Sequence, residues 1–393
     1  MRRRLEALDR ALLLQMPLRE QQLLRAQRAL LLARLGESAV SRHDIATLRA
    51  DPQVAADPEL AAWTWLAEGV CDYYDNLGLL SALDRVSRAC AMASAAAAPL
   101  VQALAAAWRG HLELQLETRS AGLLAVAPPP AGAWMRWVVE AFRLADAQHH
   151  AARSRAALVM AWAIHLSDGE AQARPWYALA RSHATQEGDG ATLSALMHNL
   201  AALQVLRLRL DSLRGGVDPA TVQRILLATE ASGSLDISVR SRLMQTHLHL
   251  LRAQVFLMLD RYEEALTLYD RHLDEGRRQG LSALEALFQI DRSRCLQALG
   301  RAEEARVAHR AAEQSLSAGL PLEEECLVHF ELARSCQRCG DAEAQAGHEV
   351  ALHAALARLR HSHRERRQQI ESAGLETWVR FDRSGTTGGT GTH

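Results

Sequence analysis

A seven-residue phrase that recurs at intervals of forty residues constrains the fold of this chain more than any other feature. "LDRYEEA" occupies residues 259–265, "LGRAEEA" occupies 299–305, and a degenerate copy, "CGDAEAQ", occupies 339–345. A period of roughly 20–50 residues is typical of solenoids and other repeat arrays. Because one small unit cannot bury its own apolar face, successive units must pack on each other. We therefore predict a stack of helical hairpins, with the phrase at the turn inside each hairpin.

The amino-acid composition favours helices throughout the chain. Of its 393 residues, 49% are hydrophobic but only 5% are aromatic, and alanine and leucine dominate the apolar set. These are strong helix formers, whereas the β-branched residues that favour strands are scarce. The fold class we predict is all-α, a right-handed α-solenoid of about seven helical hairpins.

Breaks at glycine, proline and Asp-Pro steps divide the chain into hairpins. We expect residues 1–374 to form a single solenoid and the Gly/Thr-rich residues 375–393 to be a disordered tail, because that tail has too few apolar residues to fold. The clearest repeats lie at 149–187, 240–279, 283–318 and 322–360. The remaining hairpins are predicted at 5–35, 58–97, 99–147 and 190–231.

The charge balance argues against a polyanionic partner. Lysine and arginine total 45, aspartate and glutamate total 46, and the computed pI is about 7.0. No bulk field exists to attract nucleic acid or an anionic membrane, so we expect neither as a partner. The six cysteines form no regular disulfide framework, and acidic residues interrupt the basic N-terminus before a signal-peptide core could form. A bacterial-type cytoplasm is the expected location.

Small and large residues keep fixed places within the repeat. Ala253, Ser293 and Ala333 stand forty residues apart and are small, as a close helix crossing requires. Tyr262, Ala265 and Tyr269 follow in the second helix of the first of these units. This spacing resembles the tetratricopeptide repeat. The longer unit resembles the superhelical sensor domain of the maltose-regulon activator type, the MalT-like tetratricopeptide region.

The resemblance implies a binding function. Members of that family mostly bind peptides or protein partners along a concave groove, which the first helix of each pair lines, and some precede signalling output domains. The same register places arginine and amide side chains in the groove, beside apolar neighbours. Such a wall suits a peptide with an acidic or C-terminal carboxylate group. The predicted groove residues are Trp162, Leu250, Gln254, Leu257, Ile290, Arg294, Gln297, Phe330, Arg334, Gln337 and Arg338.

No pattern of catalytic or metal-binding residues emerges from the sequence. Cys336-x-x-Cys339 has the spacing of a zinc ligand pair, but the repeat register favours both cysteines as small core residues. No nucleophile–base pattern, phosphate loop or zincin motif is present. We therefore expect no catalytic residues, no metal and no cofactor. The other tryptophans in the first half of the chain are expected to lie mostly in the core.

Two functions remain open on the sequence. The first is a non-catalytic protein- or peptide-binding scaffold that uses the concave groove. The alternative is a sensory or regulatory module that signals to a separate output protein such as a cyclase, kinase or transcription factor. In that alternative the basic helical run 356–371 is the relay, although a solvated cap at the end of the stack or a nucleic-acid contact also explains it.

Overall fold

The structure, a computed structural model, describes residues 2–75, 78–119, 130–213, 215–239, 245–316 and 320–375. Side chains are described in these ranges except for residues 2–3 and 233–239. Within the described residues all secondary structure is helical apart from an isolated bridge between Arg119 and Pro321. The all-α solenoid prediction is confirmed.

In the part of the chain that the structure describes, four N-terminal helices precede seven helical pairs. The first four are α1 (Arg2–Ala11), α2 (Leu18–Leu35), α3 (Ser38–Arg49) and α4 (Pro52–Ala56). The pairs are α5 (Pro58–Tyr74) with α6 (Leu79–Ala95), α7 (Pro99–Glu117) with α8 (Ala133–Leu144), α9 (His150–Asp168) with α10 (Glu170–Glu187), α11 (Gly190–Ser212) with α12 (Pro219–Val239), α13 (Gln245–Met258) with α14 (Tyr262–Arg278), α15 (Glu285–Ala298) with α16 (Ala302–Ser315), and α17 (Leu322–Cys339) with α18 (Ala342–Ser372).

The predicted hairpin at 5–35 corresponds to α1 with α2, and the other predicted hairpins correspond to the seven pairs, but several bounds differ. Helix α12 ends at Val239 and not at 231, and the short helix α4 was not predicted. Helix α3 was not predicted; it shares an apolar core with α2 and α5. Helix α18 continues twelve residues past the predicted end at 360. Leu375, placed in the predicted tail, is 2% exposed and packs in a core cluster, while residues 376–393 of that tail lie outside the described residues.

The recurring phrase forms the same turn in three successive units. Asp260, Gly300 and Gly340 each have a positive φ, of 56°, 75° and 76°. In each unit the next residue donates its backbone N–H to the carbonyl five residues earlier, which is the long hydrogen bond of a Schellman motif. These bonds join Arg261 to Phe256 at 2.9 Å, Arg301 to Leu296 at 2.9 Å and Asp341 to Cys336 at 3.0 Å.

Small residues lie where the two helices of a unit approach each other. Ala253 and Ser293 are fully buried, and Ala333 is 6% exposed. The Ser293 hydroxyl also donates to the carbonyl of Ala305 on the paired helix, at 2.8 Å. Core clusters then join each pair to the next, as expected when an apolar face can be buried only by a neighbouring unit.

Polar contacts also connect helices far apart in the sequence. Arg34 on α2 pairs with Asp189, the residue before α11, in a buried ion pair. At the other end, the backbone N–H of Leu322 donates to the Thr118 carbonyl at 3.3 Å, so α17 begins beside the end of α7. The superhelix therefore closes back on itself.

The basic run 356–371 takes part in this closure. Arg366 is 1% exposed, and its Nε lies 3.5 Å from a carboxylate oxygen of Glu117 on α7. Arg367 pairs with Asp168 and donates to the Ser167 carbonyl at 3.0 Å, both on α9. The second half of this run is thus held against the protein's own helices, whereas Arg360 and Arg364 are exposed. Across the described residues, no helix combines the length and hydropathy needed to span a bilayer.

Replacing a glycine with alanine should have opposite effects on stability at Gly300 and at Gly347. Replacing Gly300 or Gly347 with alanine places the new Cβ in open space. Gly300 has the left-handed backbone of the turn, so Gly300→Ala should destabilise the protein by about 1–2 kcal/mol. Gly347 lies inside α18, so Gly347→Ala should stabilise it by about 0.5–1 kcal/mol. Urea unfolding followed by circular dichroism measures both changes, and equal effects would contradict this account of the turn.

The buried ion pair between α11 and α15 predicts a large loss of stability when one of its partners is removed. Two guanidinium nitrogens of Arg209 donate to Asp291 at 2.6 Å each, and both residues are 2% exposed or less. Arg209→Leu leaves a buried carboxylate bonded only to the Tyr269 hydroxyl, and should cost about 3–5 kcal/mol. The double variant Arg209→Leu/Asp291→Leu should recover part of that loss. A double variant less stable than Arg209→Leu would contradict the prediction.

Candidate ligand-binding cavity

A half-open cavity of about 210 Å³ lies inside the closed superhelix. The first helix of each of the seven pairs contributes to its wall, namely α5, α7, α9, α11, α13, α15 and α17. Chain closure also brings Pro321 and the start of α17 to the end of α7 at its rim. The cavity is therefore formed jointly by units that are distant in the sequence, and no single unit could form it alone.

Much of the cavity wall is apolar. Leu206, Leu251, Leu287 and Leu327 line it from four different helices, and Trp162 adds an aromatic face from α9. Binding pockets are commonly walled in this way, with a few polar groups that fix the orientation of the ligand.

Two amide side chains that line this cavity have no hydrogen-bond partner among the described residues. Gln254 on α13 is 5% exposed, and Asn199 on α11 is partly buried. Both line the cavity, and no hydrogen bond from any described residue reaches either side-chain amide. Buried amides are normally hydrogen-bonded, because leaving one unpaired costs free energy. These two amides are thus available to a ligand.

Histidines in the wall are kept neutral by burial. Burial lowers the pKa of His111 and of His198 well below the ordinary value, and lowers the pKa of His247 to about 4. One ring nitrogen of each has a partner inside the wall: Nε2 of His111 lies 3.1 Å from the Tyr73 hydroxyl, and Nε2 of His198 lies 3.0 Å from Nδ1 of His247. They supply polarity to the wall but no positive charge near neutral pH.

A carboxyl group on α17 is also held largely neutral. Burial, followed by the neighbouring Glu323, raises the pKa of Glu324 to about 8. One oxygen of Glu324 is buried with no hydrogen-bond partner. Glu323 has a partner, since its carboxylate lies 3.3 Å from Nε2 of His363 on α18.

The predicted groove residues are divided between the cavity, the core and an adjoining surface. Trp162 and Gln254 line the cavity. Leu250, Leu257 and Ile290 are at most 1% exposed and pack in core clusters between helices.

The other six predicted residues lie on α15 and α17, outside the cavity wall. Two of them bond across these helices: Arg294 pairs with Glu331 at 3.0 Å, and Gln297 donates to Ser335 at 2.9 Å. Arg334 lies over the ring of Phe330, at 5.5 Å. Gln337 and Arg338 are exposed. A role in peptide binding for these six stays a prediction.

Several cavity residues were not predicted from the sequence, although helical periodicity could have identified some of them. Seven residues before Trp162 on the same face of α9 stands Arg155, and four residues after it stands Leu166; both line the cavity. His247 stands in the same relation to Gln254 on α13. Asn199 and Glu324 had no such signal.

The prediction that both cysteines of Cys336-x-x-Cys339 belong to the core is wrong for one of them. Cys336 is 4% exposed, but Cys339 is exposed at the last turn of α17. In the two earlier units the equivalent positions are leucines that are partly buried. Among the tryptophans expected in the core, Trp63, Trp108, Trp134 and Trp176 are 6% exposed or less.

Comparison with known proteins identifies the fold. The sequence matches no protein-family model and no curated protein. Among solved structures, the chain is similar to a Rap protein complexed with competence and sporulation factor, with a TM-score of 0.59 and 10% sequence identity. The match covers 89% of this chain and 89% of that one. At this identity the likeness concerns the fold alone: this chain is a superhelix of the tetratricopeptide-like kind.

The shifted pKa values of Glu324 and His247 predict how the stability of the protein depends on pH. Glu324 has a native pKa of about 8 against about 4.5 unfolded, so the native state holds the extra proton and stability falls as pH rises between those values. His247 has a native pKa of about 4 against 6.5 unfolded, so stability rises with pH between 4 and 6.5. Glu324→Gln should therefore gain melting temperature relative to wild type between pH 5 and pH 8. An unchanged difference across that range would contradict the assignment.

Proposed function

We propose that this protein is a non-catalytic binding protein that takes a peptide, or a peptide segment of a partner protein, into the cavity of its superhelix. One observation carries the proposal: a half-open cavity is walled by the first helices of seven successive pairs, and it holds two amide side chains, Gln254 and Asn199, that have no hydrogen-bond partner among the described residues.

A peptide fits the chemistry of this wall. The backbone of an extended peptide carries N–H and C=O groups that must be hydrogen-bonded when water is removed. A carboxamide side chain both donates and accepts, so Asn199 and Gln254 can pair with such groups. The leucines and Trp162 offer apolar surface to peptide side chains.

The likeness to the Rap protein also supports a binding function. That protein is seen in complex with competence and sporulation factor, and its fold matches most of this chain. We infer that this chain also binds a peptide or protein, and that the partner carries an acidic or C-terminal carboxylate group. We also propose that the protein acts in a bacterial cytoplasm and that its superhelix is a sensor region of the MalT-like kind.

A regulatory role for the binding event is the second candidate. Helix α18 reaches the cavity helices directly, because Arg366 lies beside Glu117 on α7 and Arg367 pairs with Asp168 on α9. A ligand that shifts α7 or α9 would therefore move α18. Arg360 and Arg364 on α18 are exposed, and they would be the residues that contact a separate output protein.

Peptide binding can be tested with a defined pool. Wild-type protein is incubated with a mixture of N-acetylated hexapeptides of varied sequence, and retained peptides are quantified by mass spectrometry. Asn199→Leu/Gln254→Leu, which replaces both amides with apolar side chains of comparable size, should lose at least about tenfold of the retention.

The matched control is Gln186→Leu, which removes an exposed amide on α10, outside the cavity. It should retain peptides as the wild type does. No retention by the wild type, or equal retention by all three proteins, would contradict the proposed function.

A further inference from the structure

Four arginines are buried in the described part of the chain, and one of them differs from the rest. Arg34, Arg155, Arg209 and Arg366 are 6%, 4%, 2% and 1% exposed. Three have a carboxylate beside the guanidinium: Asp189 for Arg34, Asp291 for Arg209 and Glu117 for Arg366. Among the described residues, Arg155 has no carboxylate in ion-pair contact and no hydrogen-bond acceptor. A buried cation without a counter-ion is costly, so this exception calls for an explanation.

The surroundings of Arg155 hold its guanidinium in place without neutralising it. The group lies over the ring of Trp108, with its central carbon 4.0 Å from the ring centroid. A cation over an indole face is favourable, but the contact leaves the N–H donors at the edge of the guanidinium unused. Arg155 lines the same cavity as Gln254 and Asn199. Its donors therefore have access to whatever enters.

The acidic residues in the wall do not supply the missing counter-ion. Both lie on α17: Glu323 is engaged by His363, and burial keeps the Glu324 carboxyl largely protonated below pH 8. The histidines in the wall carry no charge near neutral pH for the reason given above. The positive charge of Arg155 thus faces the cavity with no carboxylate of the described residues in ion-pair contact.

We propose that Arg155 is the anion-binding residue of this cavity and that it binds a carboxylate of the peptide ligand. This inference rests on the proposed function and makes it more specific. A guanidinium presents two parallel N–H donors that match the two oxygens of a carboxylate, and such charge-assisted pairs are strong in a water-poor site. The carboxylate supplies the counter-ion that the other three buried arginines find within the protein.

Arg155 and Trp162 are seven residues apart on one face of α9, which corresponds to a rise of roughly 10 Å. An extended peptide advances about 3.3 Å per residue. For a peptide that runs along α9, the carboxylate at Arg155 and an apolar side chain at Trp162 would therefore belong to residues about three positions apart.

The carboxylate can come from the C-terminus of a peptide or from an aspartate or glutamate side chain, and the test distinguishes the two. Three hexapeptide pools share one set of sequences: free C-terminal acids without acidic side chains, the same peptides as C-terminal amides, and C-terminal amides with one glutamate. We expect the wild type to retain one or both carboxylate pools at least about tenfold better than the neutral amide pool.

Each wild-type result has a defined meaning. Preference for the free acids identifies a C-terminal carboxylate, and preference for the glutamate pool identifies a side-chain carboxylate. Equal retention of all three pools would overturn the role of Arg155 while leaving peptide binding intact. Retention of none would overturn both proposals.

Variants of Arg155 then link the preference to this residue. Arg155→Met should remove the preference for carboxylates, and Arg155→Lys should keep the preference but lower retention, because lysine has the charge without the planar fork. Arg181→Met is the matched control, since Arg181 is exposed on α10. Circular dichroism establishes that each variant is folded, and the wild-type comparison stands even if Arg155→Met is not. A folded Arg155→Met protein that keeps the carboxylate preference would overturn the assignment.

Discussion

The close approach of the two helices in each unit is the constraint on which the rest of the structure depends. Small residues such as Ala253 and Ser293 allow the approach, and the left-handed residue after the first helix fixes the reversal of the chain. With the pair set in this way, its remaining apolar surface can be covered only by the next pair. The first helices of successive pairs consequently form one continuous inner wall.

Closure converts that wall from an open groove into a cavity. The Arg34–Asp189 and Arg209–Asp291 pairs join helices that are far apart in the sequence, and the end of α18 lies against α7 and α9. Buried ion pairs add little net stability compared with apolar packing, but they are costly to break singly. Their position between distant units suits a role in fixing the register of closure.

Burial also decides which groups in the cavity carry charge. The same removal of water that lowers the pKa of His247 raises the pKa of Glu324, so both groups are mainly neutral near pH 7. A guanidinium has too high an intrinsic pKa to be neutralised in this way. Arg155 has no carboxylate of the described residues in ion-pair contact, and this is why we assign the binding of an anion to it.

The sequence by itself determined the period of the fold and its helices, because helix propensity, turn glycines and small-residue spacing are local signals. Trp162 and Gln254, predicted as groove residues, both line the cavity. It could not distinguish Arg155 from the paired arginines, since every guanidinium looks the same until its neighbours are known. Arg34 and Asp189 are 155 residues apart, and no local pattern connects them. The cavity, the closure by α18 and the unpaired cation were decided by tertiary structure, because each depends on contacts between units that the repeat pattern does not encode.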